Sequence, residues 1–305
     1  MMYRHQSRIR ATETGFTLVE LLVALCISGT VLGLVVAASL NLRDTYYTEI
    51  VRTQINSNLR SAMDIMSMSV RQSGENLLSA FPALVLVDGT DGEPDTLTLR
   101  RSPITEVLTL CLSASAGATE LQISSASLSN AECVPANVGP VYSMFSEELA
   151  ASGENPRVFI YDSAQHLGEF VDFESGTLAS GQYSITTSPL SRAYSQLSTA
   201  IYIIEEYRFA LSADGDRLEL TVDDDVDFIA PVAFDVTNFQ VEFDMQDGTV
   251  VSSFSQTSLP GQPDWKDVRG ITMTLTGIGV YKNRTVNSTI SSSYFPRNVL
   301  SYEGL

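Results

Sequence analysis

Histidine is close to absent from this 305-residue chain: there are two, and only His166 lies beyond residue 5. A Ser–His–Asp system needs an imidazole beside its serine. With no GxSxG elbow in the chain, His166 reads as an ordinary surface or packing residue. Phosphate-cradling P-loops and the GxGxxG dinucleotide fingerprint are missing as well. There are three cysteines, of which Cys26 lies in an apolar run. The other two and one distant histidine do not make the four ligands of a zinc site. Basic residues are also scarce, with 18 Lys+Arg against 36 Asp+Glu for a net charge of -18. Residues 1–42 hold Arg4, Arg8 and Arg10 against Glu13 and Glu20, which leaves 15 of the bases and 34 of the acids beyond residue 42. A body so acidic is repelled by phosphate backbones, which argues against nucleic-acid binding and suits a soluble domain facing water. No residue set points to an enzyme or to a cofactor.

Charge is missing altogether from Phe16 to Leu40, except at Glu20. These 25 residues would make a helix roughly 37 Å long, enough for a bilayer core of about 30 Å. The arginines before the run place the N-terminus in the cytoplasm and the body on the exported side. Three readings compete. A signal peptide cut after Val36–Ala38 would have an unusually long apolar region that contains an acid. A plain anchor would leave a carboxylate in the span, costing about 2.5–3.5 kcal/mol near the centre and less near an end. The third reading uses the acid. A cut after Gly15 gives Phe16 a new α-amine, mostly protonated near neutral pH. That amine stands at i to the carboxylate's i+4, near the positive end of the helix dipole. In an assembly the amine of a neighbouring subunit is an equivalent partner.

The stretch "GFTLVELLVALCISG" resembles the class III signal of type IV pilins and pseudopilins, with Gly15 before the cut, Phe16 after it and Glu20 at the fifth mature position. The resemblance implies cleavage after Gly15 by prepilin peptidase and N-methylation of Phe16. It also implies that Glu20 docks against a subunit α-amine. It divides the chain into a leader (1–15), a long helix (16–74, with 16–40 in the membrane) and a periplasmic or extracellular β-rich body (75–305). The expected location is the inner membrane of a Gram-negative bacterium as a single pass, then a pilus at the cell surface. Expected partners are prepilin peptidase, other minor pilins and a major pilin, the inner-membrane assembly platform and the membrane itself. Major pilins often carry a proline early in this helix. None lies between Phe16 and Leu42, so the associated kink is not carried over.

Beyond Leu40, apolar residues at Leu42, Tyr46, Ile50, Ile55, Leu59, Met63, Met66 and Val70 mark one helix face, with Gly74 as the stop. The Met-rich "MDIMSMS" fits core packing, or an adaptable binding surface. From Glu75 the pattern becomes short apolar runs between Gly, Pro, Asp and Ser. Strands are predicted at 83–87, 96–100, 107–112, 157–161, 169–173, 200–211, 217–222, 239–245, 271–281 and 293–300. A hairpin turn is predicted at Asp214-Gly215, and loops or insertions at 113–156 and 176–198. The predicted fold class is therefore α+β: a long N-terminal helix, half membrane-spanning and half amphipathic, packed on a mainly antiparallel β domain.

Passages at 88–102, 207–248, 265–277 and 294–298 resemble PilW-type minor pilins. That likeness implies a structural subunit that initiates or caps pilus assembly. The alternatives are a minor pseudopilin of type II secretion and a tip-located adhesive module carried by the two insertions. If the body is exported, Cys111 and Cys133 form a disulfide; otherwise they are two free thiols. Asp88, Asp91, Glu93 and Asp95 are weak calcium candidates that lack the EF-hand spacing. The run Asp223, Asp224, Asp225 and Asp227 is another, with solvated turns the simpler reading of both. Trp265 either anchors a loop on the core or is an exposed contact for another pilin.

Overall fold

The computed structural model describes residues 15–79, 81–151, 156–227, 229–255 and 264–300. The chain divides into two units, one ending at Val51 and one beginning at Arg52. Helix α1 (Leu18–Gln72) contributes to both. In the first unit every side chain from Gly15 to Arg43 is exposed, on a helix long and apolar enough to cross a membrane.

The second unit is α+β. After α1 come β1 (Leu84–Val87), β2 (Thr96–Arg101), β3 (Leu108–Thr109) and β4 (Glu120–Gln122). Helix α2 (Pro135–Ala151) precedes β5 (Arg157–Asp162), β6 (Leu167–Ala179), β7 (Gln182–Thr187), β8 (Thr199–Tyr202), β9 (Glu205–Leu211) and β10 (Arg217–Val222). Then follow β11 (Ile229–Phe234), β12 (Val236–Met245), β13 (Val250–Val251), β14 (Val268–Tyr281), β15 (Arg284–Tyr294) and the short α3 (Arg297–Leu300). Three antiparallel sheets result, in the orders β1-β2-β9-β10-β11, β13-β12-β14-β15 and β3-β8-β5-β6-β7-β4.

The stretch of α1 within this unit buries Ile55, Leu59, Ala62, Met63, Met66, Ser67 and Val70. These recur at helical spacing and form one apolar stripe. It lies on the second sheet, and Gly277 permits the approach. A Cβ there would stand 2.7 Å from Ile55 Cγ2 and 3.3 Å from Leu59 Cδ2. The helix ends at Gly74, whose φ of +76° is a left-handed conformation natural to glycine. Its N–H donates to Arg100 O at 2.8 Å. Asn298 Nδ2 donates to the orphan carbonyls of Gln72 and Ser73, at 3.3 and 3.0 Å. Trp265, 1% exposed, closes over Gly74 and donates Nε1 to Leu78 O at 3.4 Å. It is the core anchor rather than an exposed contact.

The third sheet is an insertion. β2 and β9 are neighbours, with Arg101 opposite Glu205, so residues 102–204 leave and rejoin the first sheet at one place. The neck is tied by Arg100 Nε donating to Glu206 Oε2 and Arg101 Nε to Glu205 Oε2, both at 2.7 Å. Ser102 Oγ donates to Ile203 O at 2.8 Å. Within the insertion, Val138, Phe145 and Leu149 of α2 pack on Leu121, Val158, Ile160, Val171, Ile185 and Ile201 of the strands. The Cys111–Cys133 disulfide, with Cα atoms 5.7 Å apart, pins the chain before α2 to this core. A loop of that length contributes about 3 kcal/mol on the chain-entropy account.

Several expectations need correction. The segments 113–156 and 176–198 are not loops throughout, since they contain β4, α2 and β7. Pro135, Gly139 and Pro140 hid the helical stripe of α2. Pro135 fits the first helical position, where the missing N–H costs no bond. The run 200–211 is two strands in different sheets, parted at the neck. Only Leu108–Thr109 of 107–112 is strand. The 293–300 segment leaves β15 at Tyr294 and turns helical after Pro296. Strands β11, β13 and most of β15 lie outside the predicted strands.

Gly74→Ala is expected to cost about 2 kcal/mol or more, because its Cβ would fall 2.2 Å from Trp265 Cζ3 on top of the backbone strain. Gly92→Ala shares the positive φ but meets open space, and should cost about 1 kcal/mol. Denaturant titration of both variants separates packing from strain.

Candidate functional site

The N-terminal residues form the first candidate. Thr17 precedes the first turn of α1, and Glu20 is its third helical residue. Thr17 N–H and Thr17 Oγ1 both donate to Glu20 Oε2, at 3.0 and 2.9 Å. Glu20 N–H donates to Thr17 Oγ1 at 3.3 Å. This is a capping box: each residue satisfies an N–H that the helix start leaves orphaned. The T-x-x-E signal is present in the sequence at 17–20, but the apolar run drew attention to the charge and not to the cap. Glu20 thus has a partner within its own chain. Phe16 is 88% exposed. At Gly15 a Cβ would meet nothing within 4 Å among the described residues, so packing within them does not demand glycine there.

The second candidate is a cavity of about 460 Å³ in the insertion, within the range of roughly 300–1,000 Å³ common for ligand sites. Buried Leu108, Ile123, Val138, Tyr161 and Tyr202 line it, with exposed Glu132 and Asn137 at its rim. Glu132 accepts from Thr109 Oγ1 at 2.9 Å and adjoins Cys133, so the disulfide steadies that wall. No lysine or arginine lines the cavity, which suits an uncharged or cationic ligand. Burial pushes the Tyr161 and Tyr202 phenols up to about 12, so both are neutral. Tyr161 Oη and His166 Nδ1 are hydrogen-bonded at 3.1 Å; the histidine is a packing residue at the β5–β6 turn.

The acidic runs are structural. Asp95 is turned inward, accepting from Gly89 N–H at 2.9 Å and Val241 N–H at 2.7 Å. Asp88 accepts from Ser252 Oγ at 2.7 Å. With Asp95 committed to backbone amides, the weak calcium set Asp88, Asp91, Glu93 and Asp95 does not converge. Among the described residues no group of three or more His, Cys, Asp or Glu is arranged to hold a metal. In the second run, Asp224 pairs with Arg208 at 2.9 Å and Asp225 accepts from Asp227 N–H at 3.0 Å.

Asp223 closes the neck. Its Oδ1 accepts from Glu206 N–H at 2.6 Å, its N–H donates to Glu206 O at 2.9 Å, and Arg157 Nη1 donates to its carbonyl. Burial, with Glu205 and Glu206 adding repulsion, pushes its carboxyl up to about 6 despite the amide bond and Arg157. In the sequence Asp223 is indistinguishable from its exposed neighbours, because nothing local reveals that it packs against the neck.

No protein-family model matches the chain, and no curated protein and no solved structure matches it.

Asp223 gives the neck a pH dependence. Its folded-state pKa lies above the ordinary carboxyl value of 3.8, so the folded state holds the proton more tightly than the unfolded chain does. Its contribution to stability therefore grows as pH falls through about 6 towards 4, and is lost as pH rises again. In Asp223→Asn, thermal melts at pH 7.5 and 5 should differ less than in the wild type. An unchanged difference would remove Asp223 from this role.

Proposed function

We propose that the chain is a minor pilin-like structural subunit, cut after Gly15 by a prepilin peptidase and built into a filament through its N-terminal helix. The observation that carries this reading is the conjunction at the N-terminus. A glycine that the fold does not require is followed by an exposed Phe16, a capped helix start, and an apolar stretch that buries no side chain in its own unit. A peptidase that needs an unobstructed backbone explains the glycine, and a bilayer or neighbouring helices explain the stretch. The capping box refines the part played by Glu20. The acid starts the helix before cleavage, and its second oxygen stays outside the cap and can receive an incoming α-amine. The β body supplies the surface by which such a subunit is told apart from its neighbours. A minor pseudopilin of a secretion system shares all of this N-terminal chemistry.

A second reading, an adhesive or ligand-binding subunit, is favoured by one observation. The inserted module supplies most of the wall of a preformed cavity with an apolar floor and a polar rim, with Leu78 from outside the module as a further lining residue. Binding of a specific ligand on a glycan array, lost in Ala200→Trp, would support it. Binding only to other pilins would reject it.

Two substitutions separate the roles of Glu20. Glutamine also serves at the third position of a capping box, so Glu20→Gln should keep the helix start while removing the charge. If Glu20 docks an α-amine, Glu20→Gln and Glu20→Ala are both inserted and cleaved normally, yet both are depleted from filaments. Mass spectrometry of the mature N-terminus and immunoblots of sheared filaments read these two steps. Normal incorporation of Glu20→Gln would leave Glu20 a cap alone, and an uncleaved N-terminus in the wild type would overturn the pilin reading.

A further inference from the structure

Among the described residues strand β15 is the outer edge of the second sheet. It pairs with β14 without a single register shift, from Tyr281↔Arg284 to Ile271↔Tyr294, and it ends the strand order. The hairpin closes through two residues, Lys282 and Asn283, with Lys282 at a φ of +54°. In such a tight turn the flanking pair is hydrogen-bonded, and bonded pairs then alternate along the strands. The backbone groups of Thr285, Asn287, Thr289, Ser291 and Ser293 consequently point outward, away from β14. The side chains of these same five residues are all exposed. Three of them form a hydroxyl ladder with β14: Thr272–Ser293 at 2.7 Å, Thr274–Ser291 at 2.9 Å and Thr276–Thr289 at 3.0 Å. The edge is therefore straight and eleven residues long.

Exposed edges of this kind are normally blunted by lysine, proline or a bulge. From Thr285 to Tyr294 this one has none of the three, and carries no charged side chain in a chain with 54 of them, 18 basic and 36 acidic. The edge is also self-complementary. Laid antiparallel on itself about Thr289, it sets Thr285 opposite Ser293 and Asn287 opposite Ser291, with Thr289 opposite its own copy. Every outward amide then meets an outward carbonyl, for about ten hydrogen bonds, and each of these three kinds of pair is small, polar and uncharged. Arg284 falls opposite Tyr294, where a guanidinium can rest on a ring. A strand that an acidic protein keeps free of charge lets a second copy approach where most of its surface would repel one.

We propose that β15 is a self-association edge, joining two copies of this chain antiparallel through a two-fold axis at Thr289 into one continuous sheet. Such a contact is isologous and closes at two subunits. It stands independently of the pilus reading, because it uses only the edge of the body.

The test uses the full chain in detergent with Cys26→Ser, so that the only added thiol reports. At a hydrogen-bonded antiparallel pair the Cα atoms stand about 5.5 Å apart, within disulfide reach. Thr289→Cys is expected to give a covalent dimer on mild oxidation. Thr276→Cys, on the same face but on the inner strand, is expected to give none. Light scattering should find twice the chain mass for the parent protein. The chain mass alone is expected for Asn287→Lys/Ser291→Lys, which sets lysine against lysine twice, with its melting temperature retained. A monomeric parent, no Thr289→Cys crosslink, or equal crosslinking at Thr276→Cys would overturn the proposal. A dimer that survives the double lysine variant would also overturn it, by assigning the association to the apolar helix.

Discussion

The body is organised by the close approach of one helix to one strand. Ile55 and Leu59 sit where a side chain at Gly277 would be, and that contact sets the depth at which the stripe of α1 meets the second sheet. Several otherwise unrelated features follow from it. Because the helix lies this low, its last carbonyls come within reach of Asn298, near the far end of the chain. Because it must then turn away sharply, it ends on a left-handed glycine, and the space beside that glycine is filled by Trp265. The chain's one tryptophan is thus used to seal the exit of its longest helix, far from it in sequence. Burying so large a ring supplies much of the apolar area available at that corner.

A second organising choice is topological. An antiparallel pair needs only a short turn, yet β2 and β9 are joined by a complete sheet with its own helix. Residues 102–204 are joined to the rest of the body by two arginine–carboxylate pairs, one serine, Asp223, and the buried ring of Phe81, which packs on Phe159, Tyr161 and Tyr202 of the insertion. Concentrating charge there has a cost. Burial is the main reason the Asp223 carboxyl resists ionisation until about pH 6; the nearby Glu205 and Glu206 add repulsion that Arg157 offsets only in part. The inserted module contains the disulfide and most of the cavity wall. Its rigidity comes from its own core and crosslink, and the neck fixes its attachment.

Much of this was legible in the sequence, for physical reasons that also explain the failures. The 3.6-residue period of Ile55, Leu59, Met63, Met66 and Val70 located the helix, and Gly74 ended it, because both signals are local. Strands with two-residue alternation or a glycine turn, such as β9–β10 across Asp214-Gly215, were equally plain. Cys111 and Cys133 paired as an exported environment would have them. Helix α2 was missed because its stripe is interrupted by proline and glycine, residues read as loop signals when their position in the helix is unknown. The division of 200–211 between two sheets was invisible, since the break depends on a partner strand about a hundred residues away. Asp95 and Asp223 looked like solvated acids beside their neighbours. Their distinction is tertiary: each is chosen by backbone amides that arrive from elsewhere.

The acid at Glu20 shows how a local and a distributed explanation can both hold. As a charge in an apolar stretch it demands a partner, and an α-amine created by cleavage is an attractive one. Thr17 already supplies two donors to one carboxylate oxygen, so the acid is not isolated. The acid also lies near a helix end, where a carboxylate in apolar surroundings costs less than at the centre of a span. A carboxylate has about four lone-pair directions, and the cap uses one oxygen. The other remains free to accept a cation at no expense to the helix start. An N-terminal turn suits such an acid, because the peptide dipole there favours negative charge.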